Sequence, residues 1–268
     1  MRIGVIGAGA MGSALVRGLV RKGVANVQEV NVADIDGERL GKLAKEVGVR
    51  TFKDNAPIAR EAEVLLICVK PQHMPDALAS LRPYISSRHL VISIAAGVRI
   101  GTIEGQLPDG TRVIRAMPNQ ACQVGQSATA FSLGSKATEA DRSTAERVFS
   151  AVGIAYVVEE RLLDAVTGLS GSGPAYAYIM MDAMAEGGIE MGLQRGVAVA
   201  LAAQTLLGAA TMVLETGMHP EELRNLVTSP GGTTIAGIRA LERGGFRSAI
   251  IKAVMEAAKR SKELSGER

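Results

Sequence analysis

Apolar positions open the chain in a short run, Arg2 to Ile6, that ends on Gly7-Ala8-Gly9-Ala10-Met11-Gly12. Beyond it Leu15, Val16, Leu19 and Val20 recur at helical spacing, and Gly23 marks the stop. The alternation continues: Glu29 to Asp34 reads as a strand, Gly37 to Val47 as a helix closed by Gly48, and Val49 to Phe52 as a short strand. Glu63 to Val69 is almost unbroken aliphatic, the mark of a strand covered on both faces of a parallel sheet. Leu90 to Ala96 and Arg112 to Met117 repeat that pattern. Thr138-Glu139-Ala140-Asp141 predicts a capped helix to about Val152, with a last strand at Ile154 to Val158.

From about Glu160 onward only helical spacing remains. It predicts helices over Leu162 to Leu169, Pro174 to Met191, Val197 to Thr216, Pro220 to Val227, Thr234 to Arg243 and Phe246 to Leu264. Ser170-Gly171-Ser172-Gly173-Pro174 interrupts the first long stretch, and Pro174 suits the first turn of a new helix. The expected fold is α/β: a Rossmann-like doubly wound sheet over residues 1–160, then an all-helical domain over 161–268. So apolar a helical tail buries its surface best by dimerising.

Composition narrows the function classes. The 268 residues are 47% apolar and 21% charged, enough for a sizeable core and against disorder. Net charge is +3, the basic residues are scattered, and there is no Trp to join four Tyr and four Phe as stacking surfaces. Nucleic acid is therefore not an expected partner. Cys68 and Cys122 form no CxxC, and His73, His89 and His219 lack metal-ligand spacing, so reduced thiols and no metal are expected. A strand starting at Arg2 leaves no room for a signal peptide, which points to the cytoplasm. Gly196 to Leu214 is uncharged over nearly a membrane-spanning length. It is rich in Ala and Gly, contains Gln204, Thr205 and Thr211 and lacks an aromatic belt, so burial in a core or subunit interface is expected rather than a membrane.

Strand, glycine turn and helix in that order are what a dinucleotide pyrophosphate needs. Gly7 permits the turn, Gly9 lets the backbone approach phosphate, and Gly12 lets the helix lie close to the strand. Ala8, Ala10 and Met11 complete the loop whose N–H groups face the anion. Other strand ends on the same side carry Val69-Lys70-Pro71, Ala95-Ala96-Gly97 and Met117-Pro118-Asn119. Lys70 faces either the nicotinamide side of the cleft or solvent. Ala95, Ala96 and Gly97 offer a small-residue surface for a flat ring, and Asn119 an amide partner. Asp34, about twenty residues after Gly12, is placed for the adenosine ribose hydroxyls or for a turn beside Asp36-Gly37.

Thr228-Ser229-Pro230-Gly231-Gly232-Thr233-Thr234 precedes a helix. Two glycines among hydroxyls make either a nest for a small anion such as a carboxylate or a capped interhelical turn.

Taken together, the chain resembles pyrroline-5-carboxylate reductases. The resemblance rests on Ile6 to Gly12, Val69-Lys70-Pro71, Ile94-Ala95-Ala96-Gly97, Arg115-Ala116-Met117-Pro118-Asn119 and Gly171-Ser172-Gly173-Pro174-Ala175-Tyr176. Most specific is the stretch from His219-Pro220 through Ser229-Pro230-Gly231-Gly232-Thr233-Thr234 to Leu241-Glu242. It implies NAD(P)H-dependent reduction of a cyclic imine carboxylate to L-proline. In that family the substrate carboxylate is held at the positions of Ser229, Gly232 and Thr233, and the hydroxyl at Thr234 meets the ring nitrogen. Asn55 falls near the adenosine end of the cofactor. The helical domains pair as homodimers, often gathered into decamers. Asp34 departs from the small or hydroxyl residue expected in NADPH-using relatives, so NADH is expected to serve at least comparably with NADPH.

Rival classes lack their own residues. A β-hydroxyacid dehydrogenase commonly uses a helical lysine as base, and Gly168 to Asp182 contains none. A hydrolase would need GxSxG, but Gly168-Leu169-Ser170-Gly171-Ser172 ends on serine. A non-catalytic NAD(P)-binding regulator would bind cofactor without turnover and need no anion nest.

Overall fold

Why a glycine turn can sit where it does follows from the sheet beneath it. The computed structural model describes residues 1–266. The first part runs β1 (Ile3–Ile6), α1 (Ala10–Arg21), β2 (Val30–Ala33), α2 (Gly37–Val47), β3 (Arg50–Phe52), α3 (Ala56–Glu61), β4 (Val64–Ile67), α4 (Met74–Leu81), β5 (Leu90–Ser93), α5 (Ile100–Glu104), β6 (Arg112–Met117), β7 (Ser127–Leu133), α6 (Glu139–Ser150) and β8 (Gly153–Val157). The strands form one sheet in the order β3-β2-β1-β4-β5-β6-β7-β8. β1 through β6 pair in parallel, so the order reverses direction between β1 and β4. A crevice outside the strand carboxyl ends is expected at that switch point.

Alternating strand residues feed two cores. On one face Val5, Val32 and Leu66 meet Leu15 and Leu19 of α1, Leu43 of α2 and Val148 and Phe149 of α6. On the other, Ile6, Leu65 and Ile67 meet Ile58 of α3, Leu78 of α4 and Ile103 of α5. The sheet is thus doubly wound, with its inner strands buried on both sides, as the aliphatic runs predict.

β7 is an addition to the expected strands. It lies antiparallel to β6 and parallel to β8. Its buried Ser127, Thr129 and Ser132 are neutralised internally. The Ser127 and Thr129 hydroxyls share a 3.0 Å hydrogen bond, and Ser132 donates to the Val158 carbonyl at 2.7 Å. Polar residues that satisfy one another indoors do not show in an apolar pattern.

The rest is helical: α7 (Leu163–Val166), α8 (Gly173–Glu190), α9 (Arg195–Thr216), α10 (Pro220–Leu226), α11 (Thr233–Arg243) and, last, α12 (Phe246–Leu264). Between α7 and α8 the residues Thr167–Gly171 form a π-turn, closed by the Ser172 N–H on the Thr167 carbonyl at 2.8 Å. The glycine-rich interruption is therefore a local widening of a nearly continuous helix, a feature often found at functional sites.

The chain divides into two compact units. One holds Met1–Ser172 and the stretch from Met255 onward; the other holds Gly173–Val254. Within the second, Ala185 of α8 and Ala198 and Ala202 of α9 pack with Ile189, small residues that allow close helix contact. α9 has a mean hydropathy of 2.0 and is long and apolar enough to cross a membrane, yet only 11% of it is buried by its own chain.

Candidate active site

At the switch point the glycine turn encloses a cleft of about 720 Å³, within the range of small-molecule and cofactor sites. Gly7 has φ +106° and donates its N–H to the Ala33 carbonyl at 2.7 Å, locking the end of β1 to β2. A methyl group on Gly12 would overlap the Gly7 carbonyl oxygen, so only glycine lets α1 start this close to the strand. Gly9 precedes the first turn of α1 and supplies no side-chain cap; a Cβ built on it would touch nothing within 4 Å. The helix thus begins with open space in front of its N–H groups, an arrangement that can receive pyrophosphate.

Gly7, Gly9, Ala10 and Met11 line the cleft, together with Asp34, Asn55, Val69 and Lys70. Ala8 and Gly12 are buried behind that wall, where they shape the turn. The Ala8 N–H donates to Asp34 Oδ2 at 2.6 Å, and the Asp36 N–H to Asp34 Oδ1 at 2.9 Å. Asn55 donates through Nδ2 to the Ser80 hydroxyl at 2.8 Å. Ser80 sits on the same wall, held by Asn55 and donating its hydroxyl to the Ala77 carbonyl at 2.8 Å, and carries no sequence signal of its own. Pro71 opens a single 3-10 turn just past Lys70, outside the lining.

The other strand-end residues lie on neighbouring strands rather than on this wall. After β5, Ala95 is buried with its N–H on the Ser93 hydroxyl at 3.2 Å, Ala96 is exposed, and Gly97 has φ +76° beside Leu264. Asn119 spends both arms of its amide within the protein: Oδ1 accepts the Ala121 N–H at 3.2 Å, and Nδ2 donates to the Ser170 carbonyl at 3.0 Å. It fastens the end of β6 to the π-turn.

The two cysteines meet here. Cys68 follows β4 on the cleft wall, and the Cys122 thiol lies 3.4 Å from the Met11 sulfur. Burial pushes the Cys122 thiol up to about 11, and burial with the neighbouring Cys122 pushes Cys68 higher still. Raised from an ordinary 9.0 to about 11, Cys122 at pH 8 holds about a hundredfold less thiolate than a free thiol. Alkylation of the folded protein by iodoacetamide at pH 8 should accordingly be at least that much slower than in denaturant. Mass spectrometry of timed samples reads this directly, and rapid native labelling of Cys122 would contradict it.

In the helical unit, Ser229, Gly232, Thr233 and Thr234 gather around the N-terminus of α11. Gly231 has φ +70°, and the Gly232 N–H returns to the Ser229 carbonyl at 3.1 Å. A Cβ on Gly232 would overlap the Ser229 hydroxyl, so glycine is what lets that hydroxyl lie against the helix start. Gly232 offers α11 no side-chain cap, whereas Asp36, Thr138 and His219 cap α2, α6 and α10. The first-turn N–H groups of α11 are free of a side-chain cap, with Thr233 exposed and Thr234 half-buried among them. Backbone N–H groups, a helix dipole and two or three hydroxyls are a receptor for a small carboxylate.

Comparison with known proteins places both parts of the chain in a family. Residues 160–264 match the family model described as pyrroline-5-carboxylate reductase dimerisation. Residues 2–97 match one described as NADP oxidoreductase, coenzyme F420-dependent. The pyrroline-5-carboxylate reductase of Methanosarcina acetivorans is 50% identical over 263 residues, covering 98% of this chain and 97% of its own. That of Glycine max is 44% identical over 264 residues, covering 98% and 96%. Among solved structures, a pyrroline-5-carboxylate reductase from Coxiella burnetii superposes with a TM-score of 0.94 at 36% identity, covering 98% of both chains. The Plasmodium falciparum pyrroline carboxylate reductase with NADP bound gives 0.87 at 28% identity, covering 99% of this chain and 98% of its own. With relatives this similar along nearly its whole length, the chain belongs to the pyrroline-5-carboxylate reductase family.

Proposed function

We infer that this protein reduces 1-pyrroline-5-carboxylate to L-proline, the last step of proline biosynthesis, with NAD(P)H as reductant. The observation that supports the reading most is the Ser229–Thr234 loop, a glycine-and-hydroxyl turn at a helix start that no side chain caps, suited to a carboxylate. A dinucleotide fits the first unit, where the space in front of Gly9 is open and the α1 N-terminus faces it. Bound NAD(P)H supplies a hydride to the imine carbon. Every other task falls to the chain. Ser229, Gly232 and Thr233 hold the substrate carboxylate, and Thr234 Oγ1 orients the ring nitrogen, which takes a proton as the C=N bond becomes C–N. That nitrogen is basic enough to need no strong side-chain acid, and the loop contains none. The rate then comes from orientation and from dipoles fixed in advance.

Residues 1–160 serve as the dinucleotide-binding part and 161–268 as the helical part for substrate and dimerisation. The uncovered apolar surface of α9 supports a homodimer through that part rather than a membrane contact. Decamer formation rests on the family resemblance alone, and a cytoplasmic location accords with two free cysteines.

The deciding assay is loss of reduced-nicotinamide absorbance when pyrroline-5-carboxylate is added to the purified protein, with L-proline identified as product. Cofactor binding without oxidation would favour a non-catalytic regulator instead. In the same assay Thr234→Ala should lower turnover by about 30- to 150-fold, the equivalent of about 2–3 kcal/mol for one lost transition-state hydrogen bond. Unchanged turnover in that variant would remove Thr234 from the mechanism.

A further inference from the structure

We propose that Asp34 makes this enzyme prefer NADH to NADPH, by forming with Ile35 a subsite for an adenosine whose ribose carries a free 2′-hydroxyl. The inference rests on the reading of the switch-point cleft as a dinucleotide site and narrows which dinucleotide it takes.

Asp34 is fixed in place. One carboxylate oxygen accepts the Ala8 N–H of the glycine turn and the other accepts the Asp36 N–H, so the group faces the cleft and is tied to the loop that receives pyrophosphate. A carboxylate is an acceptor with about four lone-pair sites, and two backbone N–H groups leave room for two more donors. The 2′- and 3′-hydroxyls of a ribose are such a pair. A 2′-phosphate brings negative charge and acceptor oxygens to the same spot, where like charge is repelled.

The neighbouring cations do not reverse that sign. Arg39 lines the cleft, but its Nε is paired with the Asp36 carboxylate at 3.0 Å. Lys53 lies along Gly37 and is exposed to water. Lys70, His73 and Asp76 belong to the β4 side of the cleft, following that strand or on the turn and helix after it. Asp34 therefore stands among groups that leave its charge facing the ribose position.

Ile35 supplies the second half of the argument. It is 93% exposed on the cleft wall, held between two aspartates whose backbone is pinned. An apolar side chain presented this fully beside a ribose acceptor is a platform for the flat face of adenine.

The test is direct binding of NADH and NADPH to the full chain without imine substrate, followed by nicotinamide fluorescence, for wild type, Asp34→Ser and Asp34→Asn. Wild type should bind NADH at least about tenfold tighter, and both variants should shrink that ratio by about tenfold or more, chiefly by binding NADPH better. Asp34→Asn keeps an acceptor for the turn, so it carries the test if loss of the Ala8 bond unfolds Asp34→Ser. Wild type that binds NADPH as tightly as NADH, or a ratio unmoved in the folded variants, would overturn the proposal. Because no imine is present, absent turnover of pyrroline-5-carboxylate would count against the reductase reading and leave this ratio to stand or fall separately.

Discussion

Gly12→Ala should raise the dissociation constant for the reduced dinucleotide about a hundredfold and lower stability by about 3 kcal/mol, the upper end for overpacking. The added methyl would overlap the Gly7 carbonyl oxygen and press on the Cys68 Cβ at 3.2 Å. Carbonyl oxygen is backbone, so no side-chain rotation relieves the overlap; α1 must move off β1. That motion displaces the helix N-terminus from the phosphates proposed to sit there, and losing one or two hydrogen bonds to a charged group, about 1.5–3 kcal/mol each, is enough to weaken binding about a hundredfold. Gly9→Ala is the informative contrast. Its methyl meets nothing within 4 Å in the free protein and its φ of −66° suits any residue, so stability should hold while dinucleotide affinity falls. Isothermal titration with NADH and urea denaturation on both variants separate the two roles. Undiminished affinity in Gly12→Ala would show that the helix start does not position the cofactor.

Gly7 and Gly12 are legible in the sequence because their reasons are local. A tight turn, a close approach and a helix start occupy six consecutive residues, so spacing alone exposes them. The inner strands are legible for a similar reason: burial on both faces makes β4 and β5 nearly all aliphatic. β7 is not, because its Ser127, Thr129 and Ser132 are buried with partners that only the fold brings together. Asn119 shows the same limit at the site. Its position at a strand end suggests a cofactor partner, and nothing nearby in sequence announces that Ser170, 51 residues away, takes its amide. For the Ser229–Thr234 loop the residue types leave a nest and a capped turn equally open. The backbone shows that Gly232 leaves α11 without a side-chain cap, a geometry with room for an anion there.

The largest loss of stability from a single polar side chain should come from Asp164→Ala, about 3–4 kcal/mol, or a melting point lower by about 6–16 °C. Asp164 is fully buried where α7 begins, and its two oxygens are both taken. Oδ2 faces the Arg99 guanidinium at 3.1 Å, and Oδ1 accepts the Ser261 hydroxyl at 2.6 Å. Ser261 lies 97 residues away near the end of α12 and is itself buried. The carboxylate therefore joins the loop after β5, α7 and the last helix at one point. Truncating one partner of a buried ion pair costs more than the pair is worth, because the remaining charge stays where water solvates it poorly. Arg99 keeps 18% of its side chain in water, which sets the loss toward the lower end of the usual range. Ser261→Ala should cost less, about 1.5–2 kcal/mol, since it removes a single hydrogen bond to a carboxylate that still has Arg99. Urea denaturation at fixed protein concentration measures both, and Asp164→Ala within about 0.5 kcal/mol of wild type would refute the assignment. Hydrogen exchange then locates the damage. Loss of protection should centre on the end of α12 and the Gly97 loop, because Asp164 bonds to Arg99 and Ser261 at once, whereas uniform loss would mean that Asp164 supports the fold without pinning those elements.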